Sequence, residues 1–127
     1  MPLVGNRTGM SLFAENRHEV GSSSYRVIEV YGECGLPDVD ALQVTLGATD
    51  GSEVGVVIGL EHCEFIDSTA LAALFRVHAR GMADGRRLVM AAPSAQVRRV
   101  LRVSRLDTDG LVFDSVEEAL AGPARLV

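Results

Sequence analysis

The run Glu53-Val54-Gly55-Val56-Val57-Ile58-Gly59-Leu60 constrains the fold more than any other stretch. It is almost continuously apolar and rich in β-branched residues. Lack of alternation at this length is the pattern of a strand buried on both faces. Such a strand needs helices packed against it, and the sequence after it supplies them. A short connection covers 61–64, and Phe65 and Ile66 return to the core. A helix then starts at Asp67 or Ser68 and runs to about Gly81, with Leu71, Leu74, Phe75 and His78 as its apolar stripe. Arg87–Ala92 is a second buried strand, and Pro93-Ser94 opens a helix that turns Val97, Val100 and Leu101 inward. Leu111–Phe113 is a short strand. Ser115 and Glu118 form an S-x-x-E capping box for a last helix.

Upstream, Ser11–Val20 and Tyr25–Tyr31 read as a hairpin around the turn signal Gly21–Ser24. Gly32–Pro37 breaks the second strand. Pro37 suits the first turn of a helix with Asp38 and Asp40 near its positive end and an apolar stripe of Val39, Leu42, Val44 and Leu46. Thr49–Ser52 is a turn. The predicted order is β-β-α-β-α-β-α-β-α. It describes a single α/β domain over 12–121, with about four helices on a mixed, mostly parallel sheet that begins with an N-terminal hairpin. Residues 1–11 are expected to be a flexible arm and 122–127 a tail. In such sheets the functional edge lies beyond the carboxyl ends of the strands, where Asp67 and Ser68 fall.

Composition removes several function classes. Hydrophobic residues make up 47% of the 127, enough for a real core, but aromatics are 5% and Trp is absent, so that core is aliphatic. A net charge of −5 argues against nucleic acid as the main partner. All 12 basic residues are Arg, which excludes a phosphate-loop lysine and Schiff-base chemistry. Cys34 and Cys63 form no C-x-x-C pair and fit a reduced compartment. The sequence carries no signal-peptide pattern and no apolar run near the ~18 residues of a membrane span. The expectation is a soluble cytoplasmic protein.

Asp67-Ser68-Thr69 crowds a carboxylate and two hydroxyls at a helix start. Either Asp67 or Ser68 can serve as N-cap, a contact of ~1 kcal/mol, and one hydroxyl is then spare. A phosphate on it adds about −1.5 to −2 charges. The helix N-terminus tolerates that charge, whereas an acidic partner surface does not. Catalytic readings fare worse. Ser68 and His78 lie about 15 Å apart along one helix at ~1.5 Å per residue. His62 is nearer in sequence, but no G-x-S-x-G elbow supports a hydrolase. His18-Glu19 lacks the rest of a zinc helix motif. His78 reads as a half-buried packing residue and the two cysteines as inert. Arg86, Arg87, Arg98, Arg99, Arg102 and Arg105 form the densest basic patch, either a solvated helix face or a dock for an acidic protein. The chain is expected to bind rather than catalyse, without metal or cofactor.

Phe65-Ile66-Asp67-Ser68-Thr69-Ala70-Leu71 resembles the F-[IM]-D-S-[ST]-G-L motif of STAS domains, specifically of bacterial anti-sigma factor antagonists. Gly32-Glu33, Gly85-Arg86-Arg87-Leu88-Val89, Pro93-Ser94 with Val97–Leu101, and Asp114–Leu120 extend the resemblance over roughly Phe13 to Ala121. It implies a phosphoprotein of partner switching in transcription regulation and stress response. The unphosphorylated form binds an anti-sigma factor that is also a serine/threonine kinase, and so frees a sigma factor. Phosphorylation of Ser68, with Thr69 as secondary candidate, ends the binding, and a protein phosphatase resets it. Carried over by position, Asp67, Ser68, Thr69, Ala70, Glu33 and Gly35 are partner-binding, the chain is a monomer or weak dimer, and ATP and Mg²⁺ belong to the kinase. Three positions depart from the pattern: Gly35 stands where an Asp is usual, Ile58-Gly59-Leu60 replaces L-D-L, and Ala70 and Ala72 replace glycines. The missing Asp and the Ala replacements favour the alternative, a non-switching STAS scaffold subunit of a sensory or transport assembly.

Overall fold

The apolar run forms the expected central strand, β4 (Glu53–Gly59), with a parallel neighbour on each side. The computed structural model describes residues 3–5, 11–47, 53–83, 85–107 and 111–121. Within these, the strands are β1 (Leu3–Gly5), β2 (Ser11–Val20), β3 (Ser23–Cys34), β4, β5 (Cys63–Ile66), β6 (Arg87–Ala91) and β7 (Val112–Phe113). The helices are α1 (Val39–Gly47), α2 (Ser68–Ala83), α3 (Ala95–Val103) and α4 (Val116–Ala121). The sheet order is β1-β2-β3-β4-β6-β7, with β5 also paired to β3. The first two pairings are antiparallel and the rest parallel.

The sheet buries both faces. On one, Ile28, Val30, Val56, Ile58, Leu88 and Met90 meet α1, α2 and α3 through Leu42, Leu46, Leu74, Val97 and Leu101. On the other, Val27, Val57, Val89 and Ala91 meet α4 through Ala119. Each large aliphatic side chain so buried contributes roughly 1.5–3 kcal/mol. The hairpin turns at Gly21-Ser22, where Gly21 adopts a left-handed φ of 62° at no steric cost.

Several expectations are corrected. Leu3–Gly5, inside the expected flexible arm, pairs with β2 as an edge strand. The other arm residues before Ser11, the turn over 49–52 in its entirety and the tail over 122–127 lie outside the described residues. The second strand does not break at Gly32: it continues to Cys34 because β5, read from sequence as connection and core return, pairs with this extension. A register shift after Gly32, whose φ is 87°, accommodates the pairing. The first helix begins as a 3-10 turn, Leu36–Asp38. Val44 is 72% exposed and is not part of its docked stripe. On α2 Leu71 and Leu74 face inward as expected, together with Ala70, Ala73 and Val77, but Phe75 points outward.

One cluster has no counterpart in the sequence reading. Arg26 of β3 is buried, 2.9 Å from Glu15 and 3.6 Å from Glu53, and its guanidinium also donates to the Thr45 carbonyl. It ties the hairpin, the central strand and the end of α1 together.

Candidate functional site

β3, β5 and the start of α2 converge at the carboxyl edge of the sheet. The parallel register places Glu33 opposite Phe65 and Cys34 opposite Ile66. Ile66 enters the core. Phe65 does not: it is 48% exposed, because it shares with Glu33 the outward side of the strand pair. The Asp67 N–H donates to the Cys34 carbonyl at 3.0 Å, so the chain leaves the sheet and enters α2 in a fixed direction.

Asp67 organises the edge. Its Oδ1 accepts the Ala70 N–H at 2.9 Å and the Thr69 hydroxyl at 2.6 Å, and its Oδ2 accepts the Leu36 N–H at 3.1 Å. It therefore caps α2 and pins the turn that follows β3. Partial burial alone would raise its pKa, but the Thr69 hydroxyl and the backbone N–H groups of Ala70, Leu36 and Thr69 outweigh that and hold it below the ordinary value. Asp67 is therefore the cap and engages Thr69, and among the described residues no hydrogen bond holds the exposed Ser68 side chain.

Gly35 is part of the same arrangement. A Cβ there would stand 2.7 Å from Asp67 Oδ2. Glycine at this position leaves room for the Asp67 carboxylate. The buried Asp38 accepts the Gly35 N–H at 2.9 Å. Gly59 follows the same logic. A Cβ there would lie 1.6 Å from Glu29 Oε1, so the Glu29 side chain from β3 occupies the space over the central strand. Burial raises the Glu29 pKa; His62 opposes the rise and Glu61 adds to it.

The expected site residues divide into two groups. Asp67, Ser68, Thr69, Glu33 and half-buried Gly35 come together at the edge. Ala70 is fully buried, so it contributes its N–H to Asp67 and no surface. The sequence reading missed Leu36, 65% exposed, which with Phe65 gives the edge an apolar margin. Its proximity to Ser68 depends on pairing between segments distant in the chain, and no local pattern carries that. His62 stacks on the Tyr31 ring at 4.8 Å. His78 holds the Leu88 carbonyl through Nδ1 at 2.8 Å, a packing role as expected. Cys34 and Cys63 are buried and form no disulfide, and burial pushes the Cys63 thiol up to about 11, which keeps it unreactive. In the basic patch, Arg98 pairs with Asp114 at 3.2 Å, and Arg86 and Arg87 line a cavity between α1 and α2.

Comparison with known proteins agrees with this fold. A family model described as "Mlab, STAS domain" matches residues 19–116. No curated protein matches the chain. Among solved structures, the unphosphorylated anti-sigma factor antagonist SpoIIAA is 21% identical, with a TM-score of 0.69 over 90% of this chain and 99% of that one. The phosphorylated form of the Bacillus protein aligns at 21% identity and a TM-score of 0.63, over 88% and 100% of the two chains. An anti-sigma factor antagonist from Mycobacterium paratuberculosis aligns at 22% and 0.70, over 87% and 92%. A sulfate transporter family protein from Wolinella succinogenes aligns at 19% and 0.68, over 79% and 84%. At these identities the structural likeness establishes the fold.

Proposed function

The chain belongs to the STAS domain family, and from that premise we propose that it is an anti-sigma factor antagonist switched by phosphorylation at Ser68. The observation that carries this reading is the division of labour at the start of α2. Asp67 caps the helix and engages Thr69, leaving Ser68 exposed with a hydroxyl that no hydrogen bond among the described residues uses. Leu36, Phe65 and Glu33 beside it form a mixed apolar and polar surface of the kind a protein partner covers. In the unphosphorylated state this edge binds an anti-sigma factor that is also a serine kinase, and a sigma factor is released. A phosphate on Ser68 adds about −1.5 to −2 charges at the contact without disturbing the core, and binding ends. A phosphatase restores the hydroxyl. The chain acts by recognition and not by catalysis, and ATP and Mg²⁺ are bound by the kinase. The existence of SpoIIAA in both phosphorylated and unphosphorylated forms supports the reading by analogy.

The test is co-purification with the cognate kinase, with and without ATP, followed by phosphosite mapping. Phosphate is expected on Ser68. Ser68→Ala should abolish modification and keep binding, and Ser68→Asp should weaken binding strongly. Phosphate mapped only to other residues overturns the site, and unchanged affinity of Ser68→Asp overturns the electrostatic switch. A second reading, a STAS subunit of a transport or sensory assembly, is favoured by the transporter-family neighbour and the Ala70 and Ala72 replacements. It predicts a stable complex indifferent to Ser68 substitution.

A further inference from the structure

Away from Ser68, near the amino ends of β4 and β6, the sheet, α1 and α2 enclose a cavity of about 300 Å³. Its apolar lining is Leu46 of α1, Val56 of β4, Val77 of α2 and Leu88 of β6. Arg80, Arg86 and Arg87 line it as well, and among the described lining residues there is no carboxylate. Arg86 Nε is buried and has no hydrogen-bond partner among the described residues, although the Arg86 backbone N–H is satisfied by the Gly81 carbonyl at 2.7 Å. An unmet buried donor costs ~1–3 kcal/mol, more on a charged group. Such atoms are rare in native proteins, and a bound ion or ligand is one of the things that account for them.

Neither half of this lining is matched by a simple solute. A neutral hydrocarbon leaves the guanidinium donor unmet, and a bare inorganic anion leaves the apolar surface uncovered. We propose that the cavity binds a small anionic amphiphile, a carboxylate on a short apolar body. Its body rests on Leu46, Val77 and Leu88. Its head group draws the Arg86 guanidinium into the cavity, which gives the orphaned donor an acceptor, and Arg80 adds a second cation. Arginine suits this task because its planar fork matches a carboxylate with two parallel hydrogen bonds. The C-terminal end of α2 lies at the same place, and its partial negative charge favours cationic side chains there before any ligand arrives. The volume is at the small end of ligand sites, which limits the body to a short chain or a single ring.

Octanoate is the probe, titrated into the full chain by calorimetry and by amide chemical shifts. Octanol and inorganic phosphate serve as comparators that each lack one half of the amphiphile. The expected result is saturable octanoate binding with shifts at Val77 and Leu88, and at least ~10-fold weaker binding of either comparator. Arg86→Gln should weaken octanoate by about 10-fold or more, and Arg86→Lys by less. Should Arg86→Gln fail to fold, Arg80→Gln carries the same test. Val77→Phe, which fills the cavity from α2, should abolish the shifts. Absence of saturable binding, equal binding of octanol, or unchanged affinity in the arginine variants overturns the proposal. Ser68→Ala should bind octanoate as the wild type does, so this outcome and that of the phosphorylation test are read independently.

Discussion

Replacing Gly35 by alanine isolates the contact between the turn after β3 and the motif carboxylate. The backbone at Gly35 is extended, with φ −146°, so alanine is not strained there. The added Cβ would meet Asp67 Oδ2 at 2.7 Å and Cγ at 3.3 Å, and the carboxylate has to move. Moving it breaks the Leu36 N–H bond, worth ~1 kcal/mol at this exposed position, and weakens the α2 cap, worth up to ~1 kcal/mol. Reduced freedom of the unfolded chain returns ~0.4–1 kcal/mol. The net expectation is a loss of about 1 kcal/mol, or roughly 3–5 °C in Tm for a domain of this size. Urea denaturation measures it directly. The decisive comparison is the same change in an Asp67→Ser background, where the shorter cap does not reach the new methyl. There Gly35→Ala should turn neutral or stabilising by ~0.4–1 kcal/mol. A cost that is the same in both backgrounds refutes the steric account.

Arg26→Met removes the cation that joins buried Glu53, partly exposed Glu15 and a helix-end carbonyl, and should cost about 3–5 kcal/mol by urea denaturation; apolar replacement of Arg26, Glu15 and Glu53 together should recover most of it. Burial makes folded Glu29 hold its proton more tightly than the unfolded chain does, so its stabilising effect is complete below the ordinary value of 4.5 and is lost as pH rises through the raised one. Glu29→Gln should therefore be more stable than wild type at pH 7, with the difference shrinking toward acid in parallel thermal melts. Asp67 runs the other way: its lowered pKa gives stability present above 3.8 and lost on acidification, a loss that Asp67→Ser should not show. Native Cys63 should resist alkylation until the protein is unfolded, and labelling at the rate of an exposed thiol would refute its burial.

The alternating part of the fold was legible because each element there carries its own local signal. The run around Val57 is apolar throughout, Ser94 and Ser115 cap their helices, and Val97 and Leu101 repeat at helical spacing. Three features were not legible. The β5 strand is short, and only pairing with β3 makes Cys63–Ile66 a strand. Arg26 sits mid-strand, and its partners arrive from β2 and β4 rather than from its own stretch of sequence. At the site itself, the Asp-Ser-Thr triplet marked the place, but which hydroxyl is spare depended on side-chain directions. The glycines at 35 and 59 looked like losses relative to the family pattern. Each is the space into which another carboxylate, Asp67 or Glu29, is placed.

The hydrogen bond from Leu36 to Asp67 joins residues 31 apart in sequence, with the whole of α1 and β4 between them. The edge around Ser68 therefore does not exist in a nascent or partly unfolded chain: Leu36 and Phe65 become neighbours of the hydroxyl only after β3, β4 and β5 have aligned. A partner that reads this surface reads completion of folding as well as chemical state. Under the proposed switch, a destabilised variant would lose recognition before it lost the Asp-Ser-Thr segment, and modification and binding would fail together with the sheet.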